Sequence, residues 1–207
     1  MTKIKLCGLK RPQDIQAANE LLPAYIGFVF APKSRRYVHP DRAEELRRML
    51  NPGIIPVGVF VNETPETVAA LLDRGIIDIA QLHGKEDEAY IRRLRQLTPK
   101  PLIQAFRVDT PADVAAAQAS TADYVLLDSG AGGTGTCFDW SLLQDIQRPY
   151  FLAGGLTPEN VGGAVATLHP YAVDVSSGIE TDGAKDKEKM TQFVRAVRGV
   201  PGKDEEP

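Results

Sequence analysis

The chain of 207 residues is poor in the side chains that most often announce a chemistry. Its two cysteines, Cys7 and Cys137, are too few for a disulfide framework and form no C-x-x-C pair. The three histidines, His39, His83 and His169, lie far apart, so zinc-ligand spacing is absent. No apolar run approaches the ~20 residues that cross a bilayer. The N-terminus enters a strand-like segment without the apolar stretch of a signal peptide. Charge of neither sign dominates: 24 basic and 27 acidic residues are scattered to a net −3, which offers no surface for nucleic acid or membrane. What is present is a globular composition, 43% hydrophobic. It predicts one cytoplasmic domain over residues 1–207, with 199–207 a frayed, charged tail.

Apolar runs alternate with amphipathic helices along the whole chain. Strands are predicted at Lys3–Cys7, Tyr25–Phe30, Ile54–Val61, Asp78–His83, Pro101–Arg107, Tyr124–Leu127, Pro149–Ala153 and Tyr171–Val175. The intervening helices are predicted at Pro12–Leu22, Pro40–Leu50, Thr64–Asp73, Glu86–Leu97 and Thr110–Ala119. They continue at Asp139–Ile146, from Thr157-Pro158 to Leu168, and at Asp186–Arg198, several with proline in the first turn. Continuous apolar strands separated by helices imply a parallel sheet covered by helices. Eight units of about 25 residues favour a single α/β domain, the (β/α)8 TIM barrel, over an open doubly wound sheet.

In such a barrel the site lies where strands run into their following helices. The residues there include Cys7, Arg36, Asn62, His83, Arg107, Asp109 and Asp128. Gly154-Gly155 and Ser176-Ser177-Gly178 are turns whose backbone N–H groups suit a phosphate. Gly130, Gly132 and Gly135 match G-x-G-x-x-G literally, but no helix starts on the third glycine and the next strand ends in Ala153-Gly154 rather than an acid. No lysine follows to make a P-loop. A cysteine at a buried strand end is more often an inert small hydrophobe, and a lone aspartate a cap or turn former. Together, at the ends of strands one and six, Cys7 and Asp128 could act as base and acid. Arg36 offers a fork matched to a carboxylate, with Arg35 read as a solvated charge. His83 could be a proton carrier, a phosphate ligand or a strand-end hydrogen-bonding group; the last is favoured, within the substrate-binding set.

Several segments carry a family likeness: Lys5–Leu9, Gly27–Phe30 with Ser34–Val38, Gln81–Gly84, and Asp128-Ser129 through Gly132–Gly135 to Phe138–Trp140. Leu152–Leu156 with Asn160-Val161, Asp174–Glu180 and Gly183–Asp186 complete the set in order. The chain resembles the phosphoribosylanthranilate isomerases of tryptophan biosynthesis from residue 3 to about 198. It departs at Lys10, where that family usually has a small polar residue. The resemblance implies Cys7 as general base, Asp128 as general acid, Arg36 on the anthranilate carboxylate, and the two turns on the phosphate. It implies an Amadori rearrangement of a phosphosugar, with no metal, nucleotide or carrier cofactor required. That chemistry asks for some Cys7 thiolate, against a free thiol pKa of about 8.5. It also asks for a protonated Asp128, against about 3.9 for free aspartate; burial beside the thiolate would push it the right way. Rival readings are another phosphosugar isomerase barrel, or a catalytically inactive barrel that binds a phosphate ligand. Monomer and homodimer both stay open, since no exposed apolar stripe stands out.

Overall fold

The computed structural model describes residues 1–128, 140–143 and 146–200. Eight parallel strands close into a barrel in sequence order: β1 (Lys3–Cys7), β2 (Tyr25–Val29), β3 (Ile55–Phe60), β4 (Ile79–Leu82), β5 (Leu102–Arg107), β6 (Tyr124–Asp128), β7 (Tyr150–Ala153) and β8 (Ala172–Val175). Closure is made by β1 against β8, where Lys5 lies opposite Asp174 and Leu6 opposite Val175. Seven α-helices are described: α1 (Pro12–Leu21), α2 (Pro40–Met49), α3 (Pro65–Asp73), α4 (Glu88–Arg95), α5 (Pro111–Ala119), α6 (Val161–Leu168) and α7 (Lys187–Arg198).

Local sequence accounts for most helix starts. Pro12, Pro40, Pro65 and Pro111 each occupy the first helical position, where a missing N–H costs nothing. Asp87 accepts from the Tyr90 N–H ahead of α4, and Asp186 from those of Glu188 and Lys189 ahead of α7. The alternation of each strand then sorts side chains into two cores. Ile4, Leu6, Ile26, Phe28, Phe60, Leu82, Val125 and Leu127 face the helices. Tyr25, Val57, Ile79, Ile103, Leu126, Phe151 and Ala172 fill the lower barrel interior. Phe151 is fully buried there, its ring 5.4 Å from Tyr25 and 5.7 Å from Tyr171.

Three features differ from the sequence expectation. The helix expected from Thr157-Pro158 starts at Val161, because Asn160 accepts from the Thr157 N–H and donates to the Gly155 carbonyl, holding the preceding residues in a turn. Of the short helix expected near Asp139–Ile146, the described residues form a 3-10 turn, Trp140–Leu143, while 139 and 144–145 lie outside the described residues. Between β8 and α7 a 3-10 turn, Ser177–Ile179, leads into an unexpected hairpin of β9 (Glu180–Thr181) and β10 (Ala184–Lys185). The glycine loop over 129–139, with Cys137, and residues 201–207 of the expected tail lie outside the described residues. Among the described residues no helix is long and apolar enough to cross a membrane.

Candidate active site

The ends of β1, β2, β3, β4, β6, β7 and β8 surround a cavity of about 400 Å³. Cys7, Arg36, His83, Asp128, Gly154, Gly155, Ser176 and Ser177 all line it. Gly178 does not line the cavity but fixes its wall. A Cβ there would lie 1.9 Å from the Leu156 carbonyl oxygen, so only glycine lets the β8 turn sit against the β7 turn. Gly154 and Gly155 take φ of +90° and +62°, which turns the chain back over the strand end. Ser177 begins a 3-10 turn, whose first N–H groups have no acceptor within the turn. Two concave turns therefore stand side by side, a geometry suited to an anion. Arg107 and Asp109 stay outside, as an exposed pair 2.8 Å apart. His39 caps α2 and His169 ends α6, both away from the cavity.

Cys7 is 7% exposed. Its neighbour in register is Gly27, where a Cβ would approach the thiol sulfur to 2.5 Å; the glycine makes room for the sulfur. Burial pushes the Cys7 thiol above its ordinary value, and Asp174 adds to that push, while Lys5 and Lys185 oppose it. Nothing local in the sequence marks a lysine at this site. Lys5, two residues earlier on the same strand face, is fully buried and donates to Asp174 Oδ2 at 2.9 Å. Burial works against its charge, yet Asp174 and Cys7 together raise its pKa. Asp174 Oδ1 is buried without a hydrogen-bond partner, as is Gln81 Oε1.

Asp128, at the end of β6, keeps 30% of its side chain exposed and stands 3.6 Å from His83 Nε2. His83 is fixed from below by Gln81, whose Nε2 lies 2.9 Å from His83 Nδ1. The loops beneath are tied by Glu86, which accepts from the Asn62 N–H at 2.6 Å and the Gly84 N–H at 2.7 Å. Asn62 thus serves loop geometry, in a left-handed conformation with φ of +54°.

Arg36 reaches the cavity in a different state from the one expected. Its Nε and Nη2 donate to Glu180 at 2.6 and 3.0 Å, so that edge of the fork is taken and Nη1 is left for an incoming anion. Arg35, expected to be a solvated charge, also donates to Glu180, at 2.7 Å. Lys185 completes the cluster, donating to Glu180 at 2.7 Å and to the Ser176 carbonyl at 2.8 Å. Burial alone would raise the Glu180 carboxyl, but Arg36 and Lys185 outweigh it and bring it down to about 2. Lys185 is itself pushed down by burial, against the pull of Glu180. The hairpin the sequence reading missed is therefore the support of the arginine it singled out. Among the described residues, no group of three or more His, Cys, Asp or Glu is placed to hold a metal ion.

A cavity with a buried thiol, a carboxylate and an imidazole on one side and paired anion-binding turns on another can move protons on a phosphorylated substrate. The family model for N-(5'-phosphoribosyl)anthranilate (PRA) isomerase matches residues 4–196. The N-(5'-phosphoribosyl)anthranilate isomerase of Endomicrobium trichonymphae is 43% identical over 204 residues, covering 97% of this chain and 100% of its own. The crystal structure of phosphoribosyl anthranilate isomerase from Thermotoga maritima superposes with a TM-score of 0.88 at 36% identity, covering 97% of this chain and 100% of the other. A second crystal structure of phosphoribosyl anthranilate isomerase, in complex with reduced 1-(o-carboxyphenylamino)-1-deoxyribulose 5-phosphate, gives a TM-score of 0.86 at 35% identity with the same coverage.

Proposed function

The chain belongs to the N-(5'-phosphoribosyl)anthranilate isomerase family, and from that premise we propose how its residues divide the Amadori rearrangement between them. The reaction, a step of tryptophan biosynthesis, turns N-(5'-phosphoribosyl)anthranilate into 1-(2-carboxyphenylamino)-1-deoxyribulose 5-phosphate. Asp128, protonated, donates to the furanose ring oxygen as the C1–O bond breaks, and the nitrogen lone pair forms the iminium. Cys7, as thiolate, takes the proton from C2. The electrons of that C–H bond become the C1–C2 double bond, and the iminium π pair returns to nitrogen. The resulting enolamine tautomerises to the ketone.

The observation that carries this reading is that Cys7 and Asp128 line one cavity together with Arg36 and the β7 and β8 turns. The turns at Gly154-Gly155 and Ser176–Gly178 take the phosphate. Arg36 takes the anthranilate carboxylate through Nη1, while Glu180 holds the other edge. His83 stands beside Asp128 and binds the substrate next to it. Burial holds the Cys7 thiol high. The iminium, a cation formed next to it by ring opening, favours the thiolate at the step that needs it. The chain works as one cytoplasmic domain.

Single-turnover loss of substrate fluorescence, with phosphoribosylanthranilate generated freshly, tests the assignment. Cys7→Ser and Asp128→Asn should each lower turnover by about 10²–10⁴-fold. Both should still bind the reduced product analogue near wild-type strength. Substantial turnover in Cys7→Ser removes the thiol as base.

A further inference from the structure

We propose that Lys5, anchored by Asp174, is a positioning residue that carries the standing countercharge for the Cys7 thiolate. The proposal rests on the reading of Cys7 as base and deepens it. Lys5 and Cys7 point to the same side of β1, two residues apart, into the barrel interior. Barrel closure sets Asp174 of β8 directly beside Lys5 in register, although 169 residues separate them. The ammonium is fully buried, so water does not satisfy it, and it carries three donors. One goes to Asp174 Oδ2. Cys7 follows on the same face of β1 and is itself buried, and the lysine favours the thiolate as the thiolate favours the ammonium. A buried cation with one carboxylate bond is best completed by a second anionic acceptor, and a thiolate is one.

The other charges facing Cys7 do not offer this. Lys185, from β10, spends its donors on Glu180 and on the carbonyl and hydroxyl of Ser176. Arg36 is held by Glu180 at the cavity wall. His83 and Asp128 lie at the ends of β4 and β6 and face one another. Asp174, by itself, disfavours the thiolate; its part is to keep Lys5 charged and aimed. Lys5 stays bound to the protein throughout turnover, so its effect on the thiol precedes substrate. The iminium adds to it later.

The test reads the thiol directly. Wild type and Lys5→Met are treated with iodoacetamide over a pH series, and alkylation of the Cys7 peptide is followed by mass spectrometry, beside the acid limb of kcat/KM. Lys5→Met should move the alkylation midpoint upward by a unit or more, which lowers the rate near pH 8 about tenfold or more. The kcat/KM limb should move with it. Since Lys5→Met strands Asp174 in a buried site, the double variant Lys5→Met/Asp174→Leu removes the whole pair and keeps a folded barrel measurable. It should also alkylate more slowly than wild type. Either folded variant with a wild-type midpoint overturns the proposal. A shifted midpoint with an unmoved kcat/KM limb keeps Lys5 as the countercharge and removes Cys7 from the base role instead.

Discussion

Gly178→Ala separates the geometry of the turns proposed to hold the phosphate from the chemistry above β1. The added Cβ would lie 1.9 Å from the Leu156 carbonyl oxygen, 3.0 Å from its carbon and 3.2 Å from Thr157 Cα. All three are backbone atoms, so no side chain can swing aside. To reach an ordinary contact, the β8 turn must move from the β7 turn by about 1 Å or more. That turn is not free to drift, because Ser176 Oγ donates to the Cys7 carbonyl at 3.2 Å and Lys185 donates to the Ser176 carbonyl. Overpacking of this kind costs about 1–3 kcal/mol of stability. A displacement of ~1 Å in a positioning element costs on the order of 10²-fold in kcat/KM. On the proposed placement the phosphate does not react, so these turns grip it alike in ground and transition states. The loss should therefore fall mainly on KM. Steady-state kinetics with phosphoribosylanthranilate, and competition by inorganic phosphate, measure both. Gly163→Ala is the control: its Cβ meets nothing within 4 Å in α6, and helix propensity makes it neutral or stabilising by up to about 1 kcal/mol. A folded Gly178→Ala enzyme with KM within twofold of wild type would refute the placement of the phosphate against these turns.

Two further outcomes follow from the charge and packing around the site. Glu180 has its folded pKa depressed to about 2, so its contribution to stability is present above the ordinary carboxyl range and lost as pH falls through about 2. With solvent screening allowed for, that contribution is about 2 kcal/mol, and chemical denaturation should show the gap between wild type and Glu180→Gln closing by that amount from pH 6 toward pH 2. A gap that stays constant over that window would mean the cluster does not bind Glu180 as an anion. Phe151→Ala, in the barrel floor, should cost about 3–5 kcal/mol by denaturation while leaving kcat of the folded enzyme near wild type. A large fall in kcat with little loss of stability would place Phe151 in the chemistry instead.

Much of this was legible in the sequence, for local reasons. The apolar run Tyr124–Leu127 ending in Asp128 announced a strand and an acid together. Proline at four helix starts carries its own geometry, and Cys7 stands at the end of an unbroken strand. The hairpin at 180–185 left a weaker trace. Asp182 and Gly183 both take positive φ, as a two-residue hairpin turn requires, but the strands on either side are two residues long and show no alternation to notice. Glu180 and Lys185 acquire their role only when that turn folds them onto Arg36. The Thr157-Pro158 signal misled for a related reason. The Asn160 side chain uses local hydrogen bonds to hold a turn where proline would otherwise open a helix. Lys5 and Asp174 were the least visible, since nothing local joins residues that meet only when β8 closes on β1.

That closure explains why the barrel can hold an ion pair without a solvent-filled interior. Each strand gives two or three inward positions, and the lower ones are apolar: Tyr25, Val57, Ile79, Ile103, Leu126, Phe151 and Ala172. Below Phe151, Tyr171 stacks on Tyr124 at 5.2 Å, meets the Tyr25 hydroxyl at 3.0 Å and accepts from Lys3 at 2.8 Å. This floor keeps water from Lys5 on that side. Its register partners, Tyr25 and Asp174, place the lysine at the boundary between the floor and the cavity above. A charge set there is weakly screened, so it acts strongly on the thiol two residues on and hardly at all on the exposed surface. Moving the same lysine one layer up would expose it to the cavity and to screening. One layer down stands Lys3, which is exposed and donates to the Tyr171 hydroxyl instead. The position of Lys5 is therefore the one at which this barrel can keep a cation both buried and useful.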